Sequence, residues 1–369
     1  MTMRWDSLEY LLDEREEEQA MNERQTGYHA VALGVLDSTG KVIDKGTRVS
    51  INYDCLFDVA DRLRGFPPEA TPGQSTSADF TWHDRYHFFD GTQRTLNWLL
   101  VLDALNFCFW PDKGQERWQI DYHGETLGGY WAEAAALTRA VEEGYPLWDA
   151  DYLSELSISD LRHILRGIPS QQHKQPIEIP LLEARLNNAR EVGRVLLARY
   201  DGQFANVIEE AGGSAVTLAL LLAEHFPSFR DVAVFRGQEV RFLKRAQICA
   251  ADAHGAFRGE GWGRFQDLDK LTVFADYKLP QILRHFGALF YDYALEKRID
   301  EQELLEAGSE EEIEIRAGTI WACELLRHML VDDDPDDALT AVEIDARLWL
   351  LAQDTDGMLP FHRVRTIYY

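Results

Sequence analysis

The chain has 369 residues, 46% hydrophobic and 27% charged, with 37 basic against 63 acidic residues for a formal net charge of −26. That length supports two packed domains or one large one with a sizeable core, and the composition is that of an ordinary globular protein. No basic run exceeds two residues, which argues against a polynucleotide groove, because duplex binders neutralise several phosphates with clustered Lys and Arg.

Residues 1–28 are charged, with Leu8, Leu11 and Leu12 as apolar anchors, and 1–45 is expected to be a peripheral N-terminal extension. The opening Met1-Thr-Met-Arg-Trp-Asp6 leads into the acidic Asp13–Glu18 and does not read as a signal peptide. No apolar run approaches the ~20 residues that cross a bilayer, so the expectation is a cytoplasmic protein with no membrane partner. Tyr28 to Val42 reads as two short strands around the turn Asp37-Ser-Thr-Gly40. Asn52 to Leu63 follows as a helix with Cys55, Leu56, Val59, Ala60 and Leu63 on one face, and Gly65 to Ala78 is a loop. Thr95 to Phe109 is a buried helix, and Trp118–Tyr122 with His123–Gly129 forms a short hairpin.

From Tyr130 onward helices are expected at 132–143, 159–165, 180–200, 215–225, 241–257, 280–286, 311–330 and 341–353, with Pro180 and Pro280 in first turns. The result is a mainly α protein, a helical bundle with a few short β-strands in the N-terminal half. An α+β part at 46–175 contributes to the pocket and a helical domain spans 176–369. Without βαβ alternation, a doubly wound nucleotide fold is disfavoured.

Most familiar motifs are missing. Gly259-Glu-Gly-Trp-Gly263 has no Lys-Ser/Thr after it and no strand before it, so it is an inter-helix turn rather than a phosphate loop. There is no HExxH, and His83 and His87, although four residues apart, sit in an aromatic stretch that does not read as a helix. Cys55, Cys108, Cys249 and Cys323 are isolated and read as buried thiols. Asp332–Asp337 lacks the glycine and the terminal glutamate of a calcium loop. No metal and no cofactor is expected.

Three other positions carry possible chemistry. Asp276 lies in a tight turn before the Pro280 helix, where it is either a helix cap or a fixed anion. Lys244 lies near the start of the preceding helix. Asp345 has Trp349 one turn further along the same face, so it is either a core neighbour or the wall of a base-binding pocket.

Six blocks taken in order resemble the queuosine salvage protein family: Asn97–Trp110, Ile179–Arg185, Lys244–Ile248, Leu271–Tyr277, Glu314–Arg316 and Pro360–Arg365. The resemblance covers roughly residues 50–369 and implies hydrolysis of the bond between deazaguanine base and ribose in queuosine 5′-monophosphate. Nucleotide and released queuine are then the small-molecule partners, with no nucleic acid polymer. It also implies a region related to helix-hairpin-helix DNA glycosylases, with Asp276 in the place of the catalytic aspartate and Lys244 matching a shared lysine. On the same basis Asp345 would accept hydrogen bonds from the guanine-like edge, with Phe274 and Trp349 as stacking surfaces. His87 keeps the family spacing to Trp98, although Phe stands nearby where Pro is expected. Arg245 would help Lys244 on the phosphate or ribose side. Two other readings stay open: a DNA base-excision glycosylase, and a non-catalytic helical scaffold or queuine-binding module.

Overall fold

Val35, Leu36, Thr39 and Val42 recur at helical spacing. In the computed structural model, which describes residues 32–65, 85–333 and 339–369, they form the buried face of helix α1 (Val35–Lys45). This corrects the expected strand pair around Asp37–Gly40. The hydroxyls of Ser38 and Thr39 donate back to the Val35 carbonyl at 3.1 and 2.7 Å, so residues with turn preference are satisfied inside the helix. Trp321 completes the override by donating its indole N–H to Thr39 Oγ1 at 3.1 Å.

The described residues fall into two compact units, neither contiguous in sequence. One takes its residues from 1–70, 232–244 and 269–365, the other from 71–231, 245–268 and 366–369. The division therefore differs from the boundary expected near 175, which followed a change in local pattern, whereas compactness follows contacts between distant segments.

The first unit opens with α1, strand β1 (Val49–Ile51) and α2 (Tyr53–Arg64). On α2, Leu56, Val59, Ala60 and Leu63 are buried as expected, while Cys55 is only half-buried. The loop expected after Gly65 lies outside the described residues, as do His83 and most of the acidic run at 332–337.

The second unit contains α3 (Gln93–Leu105), the hairpin β2 (Gln119–Tyr122) and β3 (Glu125–Gly128), and α4 (Gly129–Glu142). There follow α5 (Ala150–Ser154), α6 (Ile158–Ile164), α7 (Leu182–Arg199), α8 (Phe204–Glu210) and α9 (Ala215–His225). Pro180 stands ahead of α7 rather than in its first turn. Gly193 lets α7 press on α5, since a Cβ there would sit 2.4 Å from the Ser154 nitrogen and 2.6 Å from the Ala150 oxygen. Gly193→Ala is expected to cost about 1–3 kcal/mol as an overpacking substitution; an unchanged melting temperature would show that the two helices can separate freely.

The chain then returns to the first unit with the hairpin β4 (Val232–Phe235) and β5 (Gln238–Arg241), and α10 (Lys244–Ala256) follows, all but its first residue counted with the second unit. After it come α11 (Lys278–His285), β6 (Leu289–Tyr291), α12 (Tyr293–Asp300), β7 (Leu304–Leu305), α13 (Glu310–Asp333), α14 (Ala341–Asp354) and β8 (Arg363–Val364). β6 pairs antiparallel with β1 and β7 parallel with β8. Strands are thus not confined to the N-terminal half: β4 and β5 form a local hairpin beyond it, while β1–β6 and β7–β8 close between segments far apart in sequence, which local alternation does not reveal.

Helix α13 is the frame of the first unit. Ile313, Ile315, Ala317, Ile320, Trp321, Leu325 and Leu326 are buried, and so are Glu312, Glu314, Arg316, Thr319 and Glu324, the mark of a helix covered on all sides. No helix among the described residues is long and apolar enough to cross a membrane.

Candidate functional site

Residues 271–276 of the first unit, between a 3-10 turn (Leu268–Lys270) and α11, have no regular secondary structure, yet all six side chains are buried. Buried irregular backbone must find partners for its polar groups, and here other elements supply several of them. Asp345 on α14 accepts the Phe274 N–H through Oδ1 at 2.7 Å. Arg316 on α13 donates its Nε–H to the Ala275 carbonyl at 3.1 Å. Asp276 accepts the N–H groups of Lys278 and Leu279 through Oδ1 at 2.7 and 3.0 Å, which fixes the start of α11. Both readings of Asp276 are therefore compatible. One oxygen caps the helix, and the described residues give Oδ2 no hydrogen bond.

Lys244, the first residue of α10, is 5% exposed. It follows Leu243, whose φ of 51° lies in the left-handed region, an uncommon and strained setting for a branched side chain. The Lys244 ammonium interacts electrostatically with both Asp276 and Asp345. Burial pushes Asp276 above the ordinary carboxylate range, against the pull of Lys244 and the two capping N–H groups. Asp345 is raised well above that range by burial and by the charge of Asp276, which the Phe274 N–H and Lys244 offset only in part. Two buried carboxyls that repel one another and share one ammonium titrate as a pair. Asp345 therefore holds its proton more readily than Asp276.

Trp349 lies one turn beyond Asp345 on α14 and is half-buried, and Phe274 is buried within the irregular segment. Lys244, Phe274, Asp276, Asp345 and Trp349 thus all belong to the first unit, with direct interactions linking the first four.

His87 and Arg245 belong to the second unit. His87 is buried, with Nε2 2.9 Å from the Tyr130 hydroxyl and its ring against Trp98 and Trp131. Arg245 is 1% exposed and spends its guanidinium on backbone: Nη1 donates to the carbonyls of Asp103 and Ala104 at 2.9 and 2.6 Å, and Nη2 to that of Ser228. Burial pushes its pKa down to about 10. Successive helical residues point about 100° apart, so adjacency to Lys244 did not give Arg245 the same surroundings. The contacts its guanidinium makes are with backbone carbonyls, and none of them bears on the phosphate or ribose role that the resemblance implies.

Sequence reasoning missed Arg316 and His362, although both lie in blocks singled out above. Arg316 stacks on Phe242 at 3.9 Å as well as holding Ala275. His362 is buried, and desolvation together with the Arg316 charge pushes its pKa down to about 3, so the imidazole is neutral. Block membership was the available signal; the partners were not legible. Among the described residues no group of three or more His, Cys, Asp or Glu is placed to hold a metal.

A mainly helical protein with this buried Asp–Lys centre is also defined by sequence: the family model described as Queuosine salvage protein matches residues 86–369, and the chain belongs to that family. More particularly, it is 45% identical over 338 residues to the queuosine 5′-phosphate N-glycosylase/hydrolase of Sphaerobacter thermophilus, covering 91% of this chain and 98% of the relative. It is 37% identical to the Bos taurus protein of the same name, over 75% of this chain and 82% of the relative. Against the Schizosaccharomyces pombe protein of that name the identity is 37%, over 74% and 83%.

Proposed function

We propose that this protein hydrolyses the N-glycosidic bond of queuosine 5′-monophosphate and releases queuine for reuse in transfer RNA, with Asp276 as the catalytic carboxylate. The observation that carries the reading is Asp276 itself, buried at the entrance to α11 with Oδ1 fixed by two backbone N–H groups and Lys244 as countercharge. The family membership and the names of the relatives supply the substrate class.

Breaking the bond between the ribose anomeric carbon and the base nitrogen leaves the electron pair on the base and positive charge on the sugar. A preorganised carboxylate in a dry site stabilises that charge by several kcal/mol, a term of the size lost when one oxyanion-hole donor is removed. Water then adds its oxygen to the anomeric carbon, its departing proton balancing the charge on the base, and Asp276 orients or deprotonates it. A 7-deazapurine has carbon where other purines offer a nitrogen to protonate, so hydrogen bonds to the departing base matter more than usual. A segment related to the helix-hairpin-helix glycosylases is supported by Lys244 at the head of α10 and Asp276 two residues before α11. His87 enters this proposal through the resemblance alone.

Asp345 is read as the acceptor for the N1–H and exocyclic amine of the guanine-like edge, with Phe274 and Trp349 as stacking surfaces. Asp345→Ala is expected to weaken queuine binding by ~1–3 kcal/mol in a calorimetric titration. Because the base donates, it favours the ionised carboxyl. Wild-type affinity should therefore rise with pH as the elevated Asp345 group loses its proton, and the variant should lose that slope. Equal affinities at all pH values would make Asp345 structural.

The deciding experiment is mass-spectrometric detection of free queuine after mixing the protein with queuosine 5′-monophosphate, beside a parallel incubation with damaged duplex DNA. Release of a base from DNA but not from the nucleotide would overturn the proposal.

A further inference from the structure

Helix α13 carries the block Glu314-Ile-Arg316, whose two charged residues point to opposite sides of the helix, about 200° apart at 100° per residue. Glu314 accepts the backbone N–H groups of Thr47 and Arg48 at 2.9 and 2.6 Å and pairs with the Arg48 guanidinium at 2.7 Å, which anchors the approach to β1. Arg316, 2% exposed, turns the other way. Its Nε–H reaches the Ala275 carbonyl at 3.1 Å, and its guanidinium carbon lies 3.9 Å from the centroid of the Phe242 ring.

Those two contacts fall on the two segments that carry the charged pair. Ala275 directly precedes Asp276. Phe242 stands two residues before Lys244, across the left-handed Leu243. We propose that Arg316 is a positioning residue, setting the placement of Asp276 and Lys244 by clasping the backbone ahead of one and the ring ahead of the other; this rests on the reading of Asp276 given above. Arginine suits the task because its rigid planar fork can donate in plane while its face stacks on an aromatic ring, a pairing that lysine cannot reproduce. The frame it projects from is buried on every side, so a hold taken there is stiff. The neighbouring His362, a neutral imidazole, brings no second positive charge against the guanidinium. A displacement of reacting groups by about 1 Å can cost about 10²-fold in rate, so a slackened hold should appear in turnover before it appears in binding.

The test is a double-mutant cycle on the full chain with queuosine 5′-monophosphate as substrate. It compares wild type, Arg316→Met, Arg316→Lys, Asp276→Asn and Arg316→Met combined with Asp276→Asn, with kcat, KM and melting temperature measured for each. Residues that act through one another fail to add. The expected result is a loss of about 10-fold in kcat for each Arg316 variant, with KM changed less than about 3-fold. Adding Arg316→Met to Asp276→Asn should then cost nothing beyond a factor of about two. If Arg316→Met does not fold, Arg316→Lys carries the same cycle. Losses that multiply in the double variant, or wild-type kcat for Arg316→Lys, overturn the inference alone. Wild-type turnover by Asp276→Asn instead overturns the reading of Asp276, and the inference with it.

Discussion

Asp276→Asn should reduce kcat for queuosine 5′-monophosphate by at least ~10²-fold, the low end of the loss on removing one transition-state electrostatic group, while KM stays near that of wild type. Asparagine keeps the Oδ1 that receives the N–H groups of Lys278 and Leu279, so α11 retains its start and only the charge is lost. Stability separates this from general damage. The folded pKa of Asp276 lies above its ordinary value, so the native state binds more protons than the unfolded state between the two values. The wild type therefore loses stability as pH rises through that window. The variant should melt at or above the wild-type temperature at neutral pH, and the difference should fade as pH falls into the ordinary carboxylate range. Unchanged turnover would remove Asp276 from the mechanism.

Lys244→Met should have the second-largest effect, for a different reason. The ammonium lowers the pKa of both Asp276 and Asp345. Without it, both shift further up, and fewer molecules carry an ionised Asp276 at neutral pH. An opposite charge close to a carboxyl shifts its pKa by about 1–3 units, so kcat at neutral pH should fall, by at most about tenfold for each unit of that shift. The acidic limb of the kcat–pH profile should move to higher pH, with activity partly recovered in alkaline buffer. A limb that stays where it is in wild type would mean that Lys244 acts on neither carboxyl during turnover.

Much of the α-helical content was legible because its signals are local. The run 215–225 and the start at Ala341 match the helices α9 and α14, each with a capping side chain just ahead, Ser214 and Thr340. The hairpin at 119–128 was legible for the same reason. What failed was non-local. The expected strands near Asp37 became α1 because that segment is buried as a helix whose Thr39 hydroxyl receives the Trp321 indole N–H. The pairing of β1 with β6 and of β7 with β8 joins segments that no short window connects.

The site divides along the same line. Lys244 and Asp276 stood out from position and resemblance, and both are buried and electrostatically coupled in the first unit. The backbone partners of Arg245, at Asp103, Ala104 and Ser228, lie in distant segments and were not legible from its place beside Lys244. That Asp345 binds the backbone of Phe274 could not have been read from a sequence separation of 71 residues.

Leu243 shows how an unfavourable backbone is kept in place. Glycine there would remove a left-handed penalty of roughly 1–2 kcal/mol, but the Leu243 side chain is buried, and emptying its place would cost more than about 2 kcal/mol while widening the unfolded ensemble. The bend just ahead of Lys244 is therefore bolted down by the core, and the residue that would relax it is the one the interior will not accept.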